Sequence, residues 1–388
     1  MKIKKGTINK KINEVIIYLF FIVLLFIHNS EKMSYQGDIF VRYIVGNKSL
    51  YIMIIGIIGF LFFLFSKVNK KIKIDEISIL LFLRFLFFII ENAIIYILGT
   101  VNTEFQTGII LAYLMSFCFY LIGKSENNKK LLSNLCFLSS IIIVVQLILT
   151  FIGENLSYTS DLKWWMVIPI GQTNTIGCYL IGMLMYVYCF ENNSKKKNIM
   201  SIVSLIGIIL TYSRSGLIMY MIFIIFTLIN KLKSKNQNVK IRTILKTLIL
   251  ICFAAIFIIN NINFFDRFSV DNLSSSRLKV YKEGIALLSD HILFGIGAYS
   301  YHIYDAVKAH NWILESLIET GTIGSILFYI LIYKVYKKIK LNSKIMIPFF
   351  SIYLIHGLVE PNLFTVSFDS FFWLLIGSCL FVNKNEYE

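Results

Sequence analysis

Apolar runs follow one another along this chain from Val15 to Val382, most of them separated by short polar gaps. That succession limits the fold more than any other feature. A helix crossing the hydrocarbon core needs roughly 20 mostly apolar residues, and inside lipid every backbone N–H and C=O must be bonded within the protein. With 57% hydrophobic residues, 15% charged ones and three prolines, the 388-residue chain excludes a soluble domain and predicts an all-α, polytopic membrane helix bundle. The spans fall at about 15–28, 50–65, 77–98, 108–123, 131–152, 166–190, 199–212, 215–232, 243–259, 311–332, 345–357 and 369–382, about twelve in all. Several are short, so tilt, local thinning or merging of neighbours can change the count by one or two. They divide the chain into an N-terminal bundle of about nine helices (1–259), a long external loop (260–310) and about three C-terminal helices (311–388).

The formal net charge of +16 does not point to nucleic acid, because the lysines punctuate the gaps between apolar runs instead of forming a basic domain. Alternate gaps, at Lys2 to Lys11, Lys67 to Lys73, Lys124 to Lys130, Lys195 to Lys197, Lys231 to Arg242, Lys334 to Lys344 and Lys384, hold 26 of the 38 Lys and Arg, against 10 in the gaps between them. The positive-inside rule then places both termini in the cytoplasm, with Arg214 and the 260–310 loop outside. No small-residue cleavage site follows Phe26, so the first helix is expected to be retained. The six cysteines lie in or at the end of apolar runs without a C-x-x-C pair, which reads as packing and not as a disulfide or zinc site.

Within the long loop, Ser274-Ser275-Ser276 is a helix-cap signal. Leu278, Tyr281, Ile285 and Leu288 then recur at helical spacing, which predicts an amphipathic helix over Arg277 to Ser289 lying on the membrane surface. Gly295-Ile296-Gly297 ends it as a turn; no strand precedes it, so it is no nucleotide fingerprint.

Ser213-Arg214-Ser215-Gly216 puts a lone arginine between two spans on the face where positive charge is scarce. Ser215 and Asn311 each open a helix at that face. Their N-termini are expected to point outward, presenting unsatisfied N–H groups and a positive dipole end beside Arg214 and His310. If Arg277 reaches the same surface, two guanidinium groups and two helix starts cradle a diphosphate. A single interfacial arginine also serves as a lipid anchor, and Arg277 taken alone reads that way. An unperturbed pKa of about 6.5 suits the His310 imidazole to removing a hydroxyl proton near neutral pH. None of the other histidines, His28, His291, His302 and His356, shows metal-binding spacing, and no metal site is indicated.

Asn311, Glu315 and Glu319 recur every four residues along one helix face. A carboxylate inside a membrane needs a partner or water, and pairing with Arg84, whose helix also carries Glu91, would have these groups orient an arginine rather than perform chemistry. Gly171-Gln172-Thr173-Asn174, which follows Trp164-Trp165, either breaks the sixth span to expose backbone to a substrate or is only a short loop.

The order Ser213-Arg214-Ser215-Gly216, Ser276-Arg277, Gly295-Ile296-Gly297, His310-Asn311 and Glu319-x-Gly321-x-x-Gly324 resembles the O-antigen ligase and polymerase family of bacterial envelope glycosyltransferases. The motifs lie between Thr211 and Gly324. The resemblance implies a C-type glycosyltransferase-like bundle in the cytoplasmic membrane, working without metal or cofactor, with a donor glycan carried on undecaprenyl diphosphate at the outer leaflet. It implies catalytic roles for His310, Arg214 and Arg277, with Ser213, Ser215, Asn311, Glu315 and Glu319 around the substrate. The arginines would neutralise the diphosphate leaving group while His310 takes the proton of the attacking sugar hydroxyl. The expected activity is polymerisation of repeat units into capsular or O-antigen polysaccharide. The alternative is ligase-type transfer of a finished glycan to a lipid or wall acceptor. Partners implied are the lipid-linked donor and acceptor, membrane lipid, and a chain-length regulator and flippase of the same pathway, with no nucleic acid. A flippase or transporter of lipid-linked glycans is a different class, which would show charged or broken segments at the midplane of both halves. Here the polar features gather on the external side. A purely structural scaffold would not need intramembrane Glu315 and Glu319.

Overall fold

The computed structural model describes residues 5–28, 44–67, 74–98, 107–125, 128–153, 166–232, 270–297, 300–301, 309–342, 346–358 and 365–380. Among them are twelve helices: α1 (Lys5–Phe26), α2 (Lys48–Lys67), α3 (Glu76–Leu98), α4 (Thr107–Lys124), α5 (Lys129–Gly153), α6 (Thr173–Phe190), α7 (Ser194–Thr211), α8 (Arg214–Leu232), α9 (Val270–Asp290), α10 (Trp312–Asn342), α11 (Ile347–Gly357) and α12 (Val366–Cys379). Two small pairings join β1 (Ile27–His28) to β2 (Ile44–Val45) in parallel, and β3 (Val167–Ile168) to β4 (Gly171–Gln172) antiparallel. Five helices, α2, α3, α5, α6 and α10, are long and apolar enough to cross a membrane, and the chain is a multi-pass membrane protein. The expected ninth span (243–259) lies outside the described residues, as do Trp164-Trp165, Cys252 and His302.

Large apolar side chains face outward as well as inward. Ile54, Ile58, Leu61 and Phe65 form an exposed stripe along α2, a surface suited to lipid. With lipid on the outside, helices gain little from the hydrophobic effect when they meet, and close packing through small residues holds them together. The tightest contact is between α4 and α12. Gly123 lies against the Leu374 carbonyl and Gly377 against the Tyr120 carbonyl, so a methyl group on either would overlap backbone of the other helix. Helix α6 occupies the middle of the bundle against α5, α7, α8 and α11.

One end of the bundle is basic. Lys124 ends α4 and bonds Asp75 at 2.8 Å, Lys338 of α10 bonds the same carboxylate, and Lys334 bonds Glu76 at 2.8 Å. The Tyr120 hydroxyl also donates to Asp75. Burial alone would raise the Asp75 carboxyl, yet hydrogen bonds from Lys124 and Lys338 hold it well below the usual carboxylate range. These pairs tie the start of α3 to the ends of α4 and α10, so α10 runs antiparallel to α3. At the same end Lys196 bonds Glu191 and Lys129 stands over the Phe190 ring.

The tenth span departs from expectation. A straight α10 of 31 residues would measure roughly 46 Å, well beyond a hydrocarbon core of about 30 Å. Instead Gly321 takes φ 59° and ψ −166°, outside helical values, and the chain folds back on itself there. The Tyr329 hydroxyl reaches the Ile313 carbonyl at 3.2 Å, although 16 residues of continuous helix would separate them by roughly 24 Å. The Trp312 ring lies 5.6 Å from Phe328, and the Ser316 and Ser325 hydroxyls are 3.1 Å apart. Helix α10 is thus a hairpin of a short leg, 312–320, laid against a long leg, 322–342. The last two spans also come out short: α11 has 11 residues and α12 has 14, roughly 17 and 21 Å.

Replacing Gly123 or Gly377 by leucine should destabilise the detergent-solubilised protein by about 1–3 kcal/mol or more in a denaturation titration, because backbone has no room to yield. Asp75→Asn should lower the melting temperature by several degrees at pH 7. The depressed Asp75 carboxyl contributes stability above its unfolded pKa, so the gap between variant and wild type should narrow as the pH falls below about 4.

Candidate functional site

The α7–α8 turn is made by Tyr212, at φ 55°, and Ser213. Ser213 caps α8: its hydroxyl accepts from the Gly216 N–H at 3.1 Å, and its carbonyl from the Leu217 N–H at 3.0 Å. The same hydroxyl donates to Asn174 Oδ1 at 3.0 Å and lies 3.2 Å from the Ser215 hydroxyl. Gly177 and Gly216 let α6 and α8 approach closely around it. Arg214 is therefore the first residue of α8, half-buried, on a turn bonded to the start of α6.

The segment before α6 is a hairpin followed by a helix start, not a broken span: β3 and β4 pair, and α6 begins at Thr173. The buried Lys48 ammonium donates to the Pro169 carbonyl at 2.7 Å and pins the hairpin. Asn174, through Ser213, links this hairpin to the Arg214 turn.

His310 also has a left-handed backbone, at φ 51°. Its N–H donates to Glu315 Oε1 at 3.1 Å, and Asn311 caps the short leg of α10 by accepting from the N–H groups of Ile313 and Leu314. The helix start at Asn311 does not point outward as expected. Because the short leg folds back, its N-terminus lies alongside Phe328 and Tyr329 of the long leg, roughly 13 Å along the axis from Gly321. The Trp312 indole donates to the Leu354 carbonyl at 2.9 Å and its ring covers Gly357, both in the last turn of α11. That helix packs on its other side against α6 and α8, with His356 beside Cys178 and Ile181. The Arg214 turn and the His310 turn thus flank the same end of α11.

The break at Gly321 is filled by backbone. The N–H groups of Ile296 and Gly297 donate to the carbonyls of Ile318 and Glu319, at 2.9 and 3.0 Å. Those of Thr322 and Ile323 donate to Ile292 and Leu293, at 2.8 and 3.3 Å. Gly295, Gly297 and Gly321 all have positive φ, and a side chain on Gly295 or Gly321 would collide with the facing strand of chain.

Helix α9 starts at Val270, ahead of the expected Arg277, and runs through the serines. It does not lie free on a surface: Gly284 packs on Ile318, and Tyr281, Leu287 and Leu288 join a small core with Ile296, Tyr301 and Leu314. Arg277 belongs to this helix, and its side chain lies outside the described residues.

Residues 199–329 match the family model described as O-antigen ligase. The chain carries an O-antigen ligase domain. No curated protein matches the chain. The O-antigen ligase domain begins within α7 and ends in the long leg of α10, so it contains Arg214, Arg277 and His310 as well as the Gly321 fold-back.

Other helices support this domain. Arg84 of α3 is buried with its guanidinium 4.0 Å from the Phe328 ring centre and 4.4 Å from that of Tyr113, and the charges of Asp369 and Glu319 act on it. Of the two carboxylates expected to pair with Arg84, Glu319 acts on it electrostatically, after Tyr113 and Asp369, while Glu315 Oε1 accepts from the His310 N–H. Glu319 also acts on Glu91. Burial pushes the Tyr301 phenol up, and the charges of Glu319 and Glu315 add to the shift. Ser213, Glu315 and Glu319 are each 1% exposed, so they bear on Arg214 and His310 from within the protein. Sequence reasoning missed Lys48, Tyr301 and the α11 end, since a lysine or tyrosine at a span end looks like any interfacial residue.

Gly321→Ala in the O-antigen ligase domain should open the fold-back, because both the positive φ and the Leu293 carbonyl resist a side chain. The expected result is new proteolytic cleavage near 291–301 and loss of the contact read by a crosslink between cysteines placed at Ser316 and Ser325.

Proposed function

We propose that this chain is a membrane glycan-transfer enzyme of the O-antigen ligase and polymerase type, a reading supported by the O-antigen ligase match over residues 199–329 within a multi-pass helical membrane protein. We propose that it polymerises oligosaccharide repeat units carried on undecaprenyl diphosphate into a capsular or O-antigen-type polysaccharide at the outer leaflet of the cytoplasmic membrane. The observation that supports this is the approach of the Arg214 and His310 turns to one end of α11, each at the start of a helix. An arginine fork suits a diphosphate, and an imidazole suits a hydroxyl proton.

In the proposed reaction a hydroxyl of the acceptor sugar attacks the anomeric carbon of the donor. A new glycosidic C–O bond forms while the bond from that carbon to the diphosphate breaks, and undecaprenyl diphosphate leaves with the electron pair. His310 Nδ1 or Nε2 takes the hydroxyl proton. Arg214 and Arg277 balance the charge that builds on the diphosphate, the larger contribution, with no metal called for. Glu315 fixes the His310 backbone and Ser213 fixes the Arg214 turn, so both groups are held in place before substrate arrives.

Purified protein supplied with the lipid-linked repeat unit should produce a ladder of chain lengths. A single transfer product requiring a separate lipid or wall acceptor would make it a ligase, and no product with movement of the lipid across vesicles would make it a transporter. His310→Ala should lower turnover by roughly 10²- to 10⁴-fold. Arg214→Lys should not restore what Arg214→Ala removes, because an ammonium lacks the two-pronged phosphate geometry. Full activity in either alanine variant would refute the assignment.

A further inference from the structure

At the end of α9 the surface of the chain changes character. Apart from Ile285, the exposed side chains described on this helix are polar or small: Lys279, which pairs with Glu283 at 3.8 Å, then Lys282, Ala286, Ser289 and Asp290. Ile292, Leu293 and Phe294 follow directly, 54%, 59% and 37% exposed, at the tip of the turn that fills the break at Gly321. Three large apolar side chains in a row on an otherwise polar loop mark a contact surface. The tip is continuous with a second apolar surface. Through the bonds from Thr322 and Ile323 to the Ile292 and Leu293 carbonyls it lies beside Ile323, which begins an exposed stripe running through Ile326, Ile330 and Tyr333 down the long leg of α10.

Two helices measure the height of this tip above the basic end of the bundle. The long leg of α10 rises roughly 20 Å from Lys334, and roughly 26 Å from Lys338, to Gly321. On α3, Asn92 and Ile95, which lie against Gly297, stand roughly 24 and 28 Å above Glu76. Lys334 and Glu76 are bonded to each other, so both helices count from one level. Every height is below a hydrocarbon thickness of about 30 Å, and tilt of either helix brings the tip lower still. At the same height Tyr96 and Ile97, in the last turn of α3, are largely exposed as well.

We propose that Ile292-Leu293-Phe294 is a membrane wedge, seated among the glycerol groups and upper acyl chains of the phospholipid leaflet opposite the basic end. It is independent of the glycan-transfer reading. The membrane contact expected along α9 falls instead at its C-terminal tip, while the helix keeps Tyr281, Leu287 and Leu288 against the protein. Lipid around the tip also keeps water from competing for the backbone hydrogen bonds across the Gly321 break.

The test places a benzophenone amino acid at Leu293, and separately at Lys282, of the full chain in vesicles of palmitoyl-oleoyl phosphatidylcholine and phosphatidylglycerol. Illumination should attach phospholipid about fivefold or more strongly at Leu293 than at Lys282, because only the wedge reaches acyl C–H groups. Equal or weaker labelling at Leu293 would overturn the proposal. So would crosslinks from Leu293 to a second copy of the chain, which would make the patch an interface between copies. A second measurement serves if the benzophenone disturbs the turn: Phe294→Trp, which keeps an aromatic ring. Its fluorescence above that of the four native tryptophans should be quenched by phospholipid brominated on its acyl chains and little by iodide in the buffer. The reverse pattern would overturn the wedge.

Discussion

The interruption of α10 at Gly321 carries a cost that everything around the site is arranged to meet. A helix that stops inside a bundle leaves carbonyls at one end and N–H groups at the other, and each such group buried without a partner costs roughly 1–3 kcal/mol in protein, more in hydrocarbon. The 291–297 turn meets that cost on both sides of the break: Ile296 and Gly297 supply donors, Ile292 and Leu293 supply acceptors. Such an exchange needs two backbones nearly in contact, which explains glycine at 295 and 321. Non-helical backbone at membrane depth is tolerated only where protein or a watery cavity surrounds it, and here protein surrounds it.

The fold-back determines where chemistry can sit. It turns the start of the short leg away from the rim and against the end of α11, which already touches the helices that hold the Arg214 turn. Arg84 reinforces the arrangement from α3, its charge set between Phe328 of the long leg and Tyr113 of α4 and acted on by Glu319 and Asp369. A buried guanidinium without such partners would be prohibitive, which agrees with reading the carboxylates as groups that orient an arginine. At the far end, Asp75 clamps α4 and α10 to the start of α3, so the long leg is fixed at both ends.

Much of this was legible in the residues. Membrane helices, the gathering of lysines at one end and the helix starts at Arg214 and near Asn311 all rest on local properties: hydrophobic length, charge and capping chemistry. The Gly295, Gly297 and Gly321 motif was visible as punctuation, but its partner was not. Glycine announces that backbone comes close or turns left, and says nothing about which backbone. The same limit applied to Glu315 and Glu319, whose spacing put them on one face while leaving open whether that face meets Arg84, His310 or water. The apolar pattern over 311–332 reads as one span because periodicity survives a reversal at a single residue, Gly321.

The amino-acid sequence by itself determined that this protein is a bundle of membrane helices with a basic end. Those properties follow from transfer free energies and charges that each segment carries alone. Only the tertiary structure decided that α10 is a hairpin and that its short leg presents His310 beside α11. Those outcomes depend on hydrogen bonds and packing between segments far apart in the chain, whose energies exist only once the segments meet.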